Sequence, residues 1–358
     1  MSVGTENETT HRLAGIEALR GIAALAVVLY HFPEALQRML GFSGPVAQIF
    51  RNGNLGVDAF FILSGFVIAL SLREGPWTSR YFGRFVVRRS IRLDPPYWFA
   101  IAFEVFLGWL GVRYFGDAAY DFPTAADIGA HLLYLQGILG RMQVSDVFWT
   151  LCFEIQFYVA LVGVVVLAHT EGVRRLVAPK VLLGVLLVVV TGLSLAIRGG
   201  WVSSPNDGLA IIRAYQFTLG ITVFLLATGR LPTAPAVVFA AVVLVVRLSS
   251  GAVAEVVVMG AAIASCYAAL RLPAFNRAAS AAPLQLLGRI SYSLYLYHAS
   301  IVWRVSTIAL KLEPRFGMGA AWAGLIAGIV GSIAFAYVLN RVLETPMMKL
   351  SRRVKLVA

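Results

Sequence analysis

The feature that most constrains this chain is a succession of apolar runs, mostly close to twenty residues long, joined by short polar connections. Runs near 14–32, 55–72, 95–112, 148–168, 181–197, 209–227, 232–246, 252–270, 284–308 and 320–343 each suit one helical crossing of a hydrocarbon layer roughly 30 Å thick. Composition closes off a soluble alternative. Of 358 residues, 59% are apolar and 13% charged, whereas a soluble domain carries roughly 25% charged residues. Too few charges remain to cover an outer surface, so lipid is the outer solvent. In lipid the backbone must satisfy its own hydrogen bonds, and runs of this length do so as helices. The expected fold is an all-α polytopic transmembrane helix bundle of about ten spans, with one extracytoplasmic or re-entrant helical segment.

That extra segment is 128–140, apolar but too short for a confident crossing. The distribution of basic residues decides its fate. The connection after the second run holds Arg73, Arg80, Arg84, Arg88, Arg89 and Arg92. Placing it in the cytoplasm puts the N-terminus there too. If 128–140 does not cross, Arg174, Arg175, Lys180, Arg271, Arg277, Lys349, Arg352, Arg353 and Lys355 all fall inside as well. Asp117, Asp121 and Asp127 then lie outside. The reading is a cytoplasmic tail over 1–13, a membrane domain over 14–346 and a basic cytoplasmic tail over 347–358. Residues 1–13 lack the basic start and cleavage site of a signal peptide, so the first run stays as a span. The net charge of +12 sits in short loops beside apolar runs, which indicates topology and headgroup contact rather than nucleic acid. Cys152 and Cys266 lie inside apolar runs, with no CxxC and no metal spacing.

An ionisable residue inside a span costs about 2.5–3.5 kcal/mol on insertion scales, so it normally faces a cavity and has a task. The first run carries both Arg20 and His31. Eleven residues apart, they lie about 20° apart around a helix and ~16 Å apart along it. Glu17, three residues before Arg20, is placed to pair with it. Asp58 opens the second span and Glu154 lies early in the fourth, both at the extracytoplasmic level of His31. A histidine beside carboxylates is what a general base and its orienting partner require. Arg88, Arg89 and Arg92 precede Asp94-Pro95-Pro96, which reads as a helix start with Asp94 as the cap. Arginine forks of this kind hold phosphates bidentately. His298 lies midway along the ninth run among Tyr292, Tyr295 and Tyr297, while His11, His131 and His169 sit in loops or at ends and are expected to be solvated.

On these residues the chain resembles the acyltransferase-3 family of integral membrane O-acyltransferases, which modify bacterial surface glycans and some secondary metabolites. The arginine–ten residues–histidine motif is matched by Arg20 and His31. Further matches are Gly56-Val57-Asp58-Ala59-Phe60-Phe61-Ile62-Leu63-Ser64-Gly65, Arg88-Arg89-Ser90-Ile91-Arg92, Trp149-Thr150-Leu151-Cys152-Phe153-Glu154-Ile155-Gln156-Phe157-Tyr158, Ser291-Tyr292-Ser293-Leu294-Tyr295-Leu296-Tyr297-His298 and Glu344-Thr345-Pro346. Ala59 stands where a larger apolar residue is more usual. Many members of that family carry an extra hydrolase-like domain after the last span; with this sequence ending at Ala358, the expectation is a stand-alone membrane domain whose second transfer step, if any, would need another protein.

The resemblance implies an acyl-CoA donor, acetyl-CoA by default, used as a co-substrate rather than a resident cofactor, and no metal. It implies a carbohydrate or glycoside hydroxyl as acceptor, and a location in the bacterial inner membrane among lipids. Carried onto this chain, His31 is the general base, Glu154 or Asp58 orients it, and Arg20, Arg88, Arg89 and Arg92 bind the donor. Tyr158, Trp149 and His298 support the substrate or the site. A covalent acyl intermediate on His31 or Cys152 is the rarer route, because buried cysteines are usually inert. A proton-coupled transporter or flippase would also bury Arg, His and Glu, but it would release no thiol from acyl-CoA. The topology makes a direct prediction: a reporter fused after residue 145 reads extracytoplasmic in an alkaline phosphatase assay, and a cytoplasmic signal there restores an eleventh span.

Overall fold

A computed structural model describes residues 14–72, 75, 77–115 and 120–356. The N-terminal tail with His11, together with Arg73 and Asp117, lies outside these residues. The described chain is helical, without strands. Helix α1 (Ala14–Tyr30) leads through short α2 (Glu34–Met39) and α3 (Gly44–Arg51) into α4 (Gly56–Ser71). Long α5 (Ser79–Phe115) precedes short α6 (Ala125–Leu132), α7 (Trp149–Ala168), short α8 (Glu171–Leu176) and α9 (Pro179–Arg198). Then come α10 (Ala214–Ala227), α11 (Thr233–Ser249), α12 (Val253–Arg271) and short α13 (Pro273–Ala279). Helices α14 (Ala282–Phe316), α15 (Met318–Leu339) and α16 (Thr345–Ser351) complete the bundle, with a π-helical turn over Asn340–Glu344 between the last two.

Each expected apolar run falls on one of these helices. Seven helical segments among the described residues are long and apolar enough to cross a membrane, and the shorter α11 is apolar too. The surface has the polarity of a membrane protein. Val181, Val185, Val188 and Val189 of α9, Val237, Val238, Val242 and Val245 of α11, and Ile326, Val330 and Val338 of α15 point outward. Asp58, Glu104, Arg247, Glu255 and His298 are buried. Such a distribution is stable only where the outside is hydrocarbon and the interior charges find partners. The 128–140 segment holds only α6, eight residues and about 12 Å of helix, too short to cross. Thr124 and Asp127 close a reciprocal capping box at its start, which the sequence reading did not pick out.

Two expectations are corrected. No helix starts at Asp94-Pro95-Pro96: α5 runs unbroken from Ser79 with both prolines in its interior. Two prolines remove two backbone donors, and tyrosines of α14 bond to other carbonyls of the same stretch. Tyr292 donates to the Leu93 carbonyl at 2.9 Å and Tyr297 to the Pro96 carbonyl at 2.8 Å. Asp94, no longer a cap, accepts from the Tyr134 hydroxyl at 3.0 Å. His131 is not solvated but fully buried. Its ring lies 2.9 Å from the Tyr97 hydroxyl and 3.0 Å from the Met142 carbonyl, tying the segment after α6 to α5. Burial lowers its pKa and keeps the imidazole neutral. His169, at the end of α7, is half-buried.

The helices meet backbone to backbone at glycines. A Cβ on Gly288 would lie 2.2 Å from the Glu17 carbonyl, and one on Gly21 2.7 Å from the Gly288 nitrogen, so α1 and α14 touch there. Gly56 sits equally close to the Ala23 carbonyl, joining α4 to α1. On the far side of α4, a Cβ on Gly65 would lie 1.9 Å from the Phe217 carbonyl, and one on Gly220 of α10 2.0 Å from the Ile62 carbonyl. Small residues let helices approach where no hydrophobic force separates them from lipid. Gly65→Val and Gly220→Val should therefore each destabilise the purified protein by about 1–3 kcal/mol, seen as a lower thermal midpoint. Gly184→Ala on α9, where a Cβ meets nothing, should leave the midpoint in place.

Candidate active site

Two cavities lie end to end along α1. The first is lined by Arg20, Arg89 and Arg92, with Ser64, Glu154, Tyr158, Ser291 and Tyr292. The second is lined by His31, Asp58, Asp146, Trp149, Arg213 and Trp303, among others. Val57 and Tyr295 belong to the walls of both, so the two meet there. The helical spacing that put Arg20 and His31 on one face thus sends one to each cavity.

The arginine cavity is lined by five helices, α1, α4, α5, α7 and α14. Arg20 comes from α1, where it pairs with Glu17 at 3.6 Å. Arg89 and Arg92, three residues apart on α5, project into the same space, whereas Arg88 is not among the lining residues. The Arg89 guanidinium lies 4.5 Å from the centre of the Tyr158 ring. Arg92 feels the charges of Arg20, Arg89 and Glu344. Glu344, turned inward at the π-helical turn, accepts from Ser293 at 2.8 Å and Asn340 at 2.9 Å. Its motif position was legible in the sequence, but its nearness to Arg92 was not. Among the described residues neither Arg89 nor Arg92 donates a hydrogen bond to protein, so their forks are open to an anionic group. Glu154 accepts from Ser64 at 2.9 Å and from Tyr158 through a short bond.

The histidine cavity contains a pair of imidazoles. Nδ1 of buried His298 lies 3.1 Å from the Leu294 carbonyl and 2.9 Å from the Tyr295 carbonyl. Two acceptors on one nitrogen require it to carry the hydrogen, which leaves Nε2 of His298 as an acceptor. That Nε2 is 3.1 Å from Nδ1 of His31, and the same Nδ1 is 2.8 Å from the Val27 carbonyl. His31 therefore donates from Nδ1, and its Nε2 is left as the free base on a residue that lines the cavity.

The expected carboxylate partner of His31 is corrected accordingly. Asp58 pairs with Arg213 at 3.1 Å and accepts a short bond from Gln216. Glu154 is occupied by Ser64 and Tyr158 on the arginine side. The two acids line adjoining cavities, Glu154 the first and Asp58 the second, and a histidine takes the orienting position. Trp149 lines the histidine cavity, and Tyr158 the arginine cavity. Both cysteines are free and buried, and Cys152 lines neither cavity. Arg213 escaped sequence reading because it sits at the mouth of a span, where arginine is unremarkable.

The acyltransferase-domain model of the acyltransferase-3 family matches residues 13–341. The chain belongs to that family. It is a membrane acyltransferase. The chain is 28% identical over 348 residues to BcsY of Komagataeibacter xylinus, provisionally named a membrane-bound transacylase, covering 92% of this chain and 82% of that one. It is 27% identical over 339 residues to the exopolysaccharide production protein ExoZ of Rhizobium meliloti (85% and 92% covered). It is 26% identical over 380 residues to the acyltransferase MdmB of Streptomyces mycarofaciens (97% and 94% covered). No solved structure matches it. Membership sets aside the transporter and flippase alternative. In this acyltransferase, the histidine pair gives a prediction. His298→Phe should lower acyl transfer by roughly 10²–10⁴-fold, the usual worth of a positioned base. His298→Gln, whose amide oxygen can accept from His31, should retain measurably more activity in the same turnover assay.

Proposed function

We propose that this acyltransferase moves an acyl group, acetyl by default, from cytoplasmic acyl-CoA to a hydroxyl of a carbohydrate or glycoside at the extracytoplasmic side of the inner membrane. One observation carries the proposal: a cavity with open arginine forks shares the wall residues Val57 and Tyr295 with a cavity holding an oriented histidine base. Arg89 and Arg92, with Arg20, hold the phosphates of the donor. Arg88 adds positive charge from outside the cavity wall. The pantetheine arm runs past Val57 and Tyr295, and the thioester reaches His31.

At that point the acceptor hydroxyl meets Nε2 of His31, which removes its proton as the oxygen attacks the thioester carbon. His298 fixes the reactive tautomer and faces the imidazolium as it forms. A thioester is already activated, so orientation and charge stabilisation are what the protein must supply. Glu154 holds Ser64 and Tyr158 where the two cavities approach each other. Asp58 acts through Arg213. Transfer is direct, because neither cavity brings a thiol to its wall. The carbohydrate acceptor draws support from the name of ExoZ, a protein of exopolysaccharide production, and from the aromatic side chains Trp149 and Trp303 beside His31.

Purified protein given acetyl-CoA and candidate glycosides should release thiol and form the O-acetyl ester, detected by mass spectrometry. His31→Ala should abolish both products. Arg89→Gln and Arg92→Gln should raise KM for acetyl-CoA with smaller changes in kcat. Thiol release that is absent, or that persists in His31→Ala, would overturn the proposal.

A further inference from the structure

The histidine cavity has a cation that the sequence reading did not single out. Arg213 closes the 3-10 turn Ala210–Arg213 that opens α10, and it is the sole arginine or lysine among the residues lining that cavity. Its position is built from several directions. Gln156 accepts from the Ala210 nitrogen at 2.9 Å and donates to the Gly208 carbonyl at 2.8 Å, holding the turn against α7. Gly208 itself lies against Gly137 so closely that a Cβ would come within 2.1 Å of that residue's carbonyl carbon. Nη1 of Arg213 is 3.1 Å from Oδ1 of Asp58, whose side chain is only 7% exposed.

Asp58 is in turn held by a chain of buried groups. Gln216 donates to Asp58 through a short bond and to the Tyr215 hydroxyl at 3.1 Å. Tyr215 donates to Glu255 through a short bond. Glu255 is gripped by Arg247 through Nε at 3.1 Å and Nη2 at 2.8 Å. Four side chains on three helices thus anchor one oxygen of Asp58, and Asp58 anchors one nitrogen of Arg213. Among the described residues the other guanidinium N–H groups of Arg213 have no protein partner. An oriented cation with unused donors, in the cavity of a free histidine base, has the form of a charge stabiliser prepared before reaction.

We infer that Arg213 is the oxyanion-stabilising residue, donating from its free guanidinium N–H groups to the thioester carbonyl oxygen, with Asp58, Gln216, Tyr215, Glu255 and Arg247 as positioning residues. This rests on the acyl-CoA-dependent transfer proposed above. The acceptor oxygen forms a bond to the thioester carbonyl carbon, its proton passes to Nε2 of His31, and the carbonyl π pair moves onto the oxygen facing Arg213. When that pair returns, the carbon–sulfur bond breaks. The departing thiolate takes the proton from His31 and leaves as the thiol, and the acceptor carries the acyl ester. Arg213 stays protonated throughout.

The test uses the purified full-length protein with acetyl-CoA and an acceptor on which the wild type is active. A wild type that transfers nothing from acetyl-CoA would count against the parent proposal. With an active wild type, Arg213→Ala should lower kcat by roughly 10²–10³-fold, the usual cost of one oxyanion donor. KM for acetyl-CoA and direct acetyl-CoA binding should stay close to wild type, because the phosphates rest on Arg89 and Arg92. Added guanidinium ion should restore part of the lost kcat in Arg213→Ala and none in His31→Ala. A loss confined to KM, unchanged kcat, or a loss that guanidinium leaves untouched overturns the assignment. Should Arg213→Ala fail to purify, Arg213→Lys carries the test. A tenfold or larger fall in kcat with acetyl-CoA binding intact supports the assignment, and an unchanged kcat overturns it.

Discussion

Everything at the site depends on how closely α1 can approach its neighbours. At Gly21 and Gly288 the backbones of α1 and α14 are in contact, and at Gly56 the backbone of α4 reaches α1. In hydrocarbon there is no hydrophobic gain in bringing helices together, so packing at small residues must supply it. Once α1 is fixed against α14, His31 reaches His298, ten residues beyond Gly288 on α14. The same contact sets Arg20 beside the arginines of α5. A methyl group at Gly21 or Gly288 would force α1 and α14 apart, and with them the two imidazoles. The motif glycines therefore act on chemistry through distance.

The buried polar groups divide into two kinds. Most are closed within protein: Arg247 on Glu255, Glu344 on Ser293 and Asn340, His131 between Tyr97 and Met142. Each offsets the cost of taking a polar group out of water. Others keep donors or acceptors open, and among these the charged and basic groups that line the two cavities stand out: the forks of Arg89 and Arg92, the remaining N–H groups of Arg213, and Nε2 of His31. Ser291, on the wall of the arginine cavity, also has a hydroxyl without a partner. Unpaired ionisable groups inside a membrane protein are expensive, so three arginines with open donors and a histidine with an open acceptor on the walls of two adjoining cavities mark where substrate goes.

The architecture was largely legible in the sequence, because span length and charge distribution are one-dimensional properties. The Arg20–His31 axis was legible for the same reason, since helical periodicity fixes angle and rise. What failed involved long-range partners. His31 was expected to find a carboxylate, yet its partner is a histidine 267 residues away, and nothing in local spacing distinguishes the two. Asp94-Pro95-Pro96 read as a helix start because proline favours first turns. The tyrosines that grip this stretch of α5 lie about two hundred residues later, on α14. His131 looked like a loop residue because its short helix is polar at the ends, and its burial depends on Tyr97 and the segment around Met142. Motif membership marked Glu154, Glu344 and Gln156 as meaningful without saying what each touches.

The separation of the two cavities has its own chemical logic. A polyanionic donor placed directly beside His31 would favour the imidazolium and spoil the base. In the transfer we propose, the arginines that would hold the phosphates sit near the other end of α1, about 16 Å along its axis, which would keep that field away from His31. The thioester has the opposite requirement: its carbonyl oxygen gains negative charge during transfer and needs a cation close by. Arg213 lines the cavity that holds His31, and Asp58 pairs with it there. A site with all four arginines together would bind the donor tightly and leave the developing charge unattended. One without the Asp58 partner would hold Arg213 loosely and lose the preorganisation that makes a cation useful in catalysis.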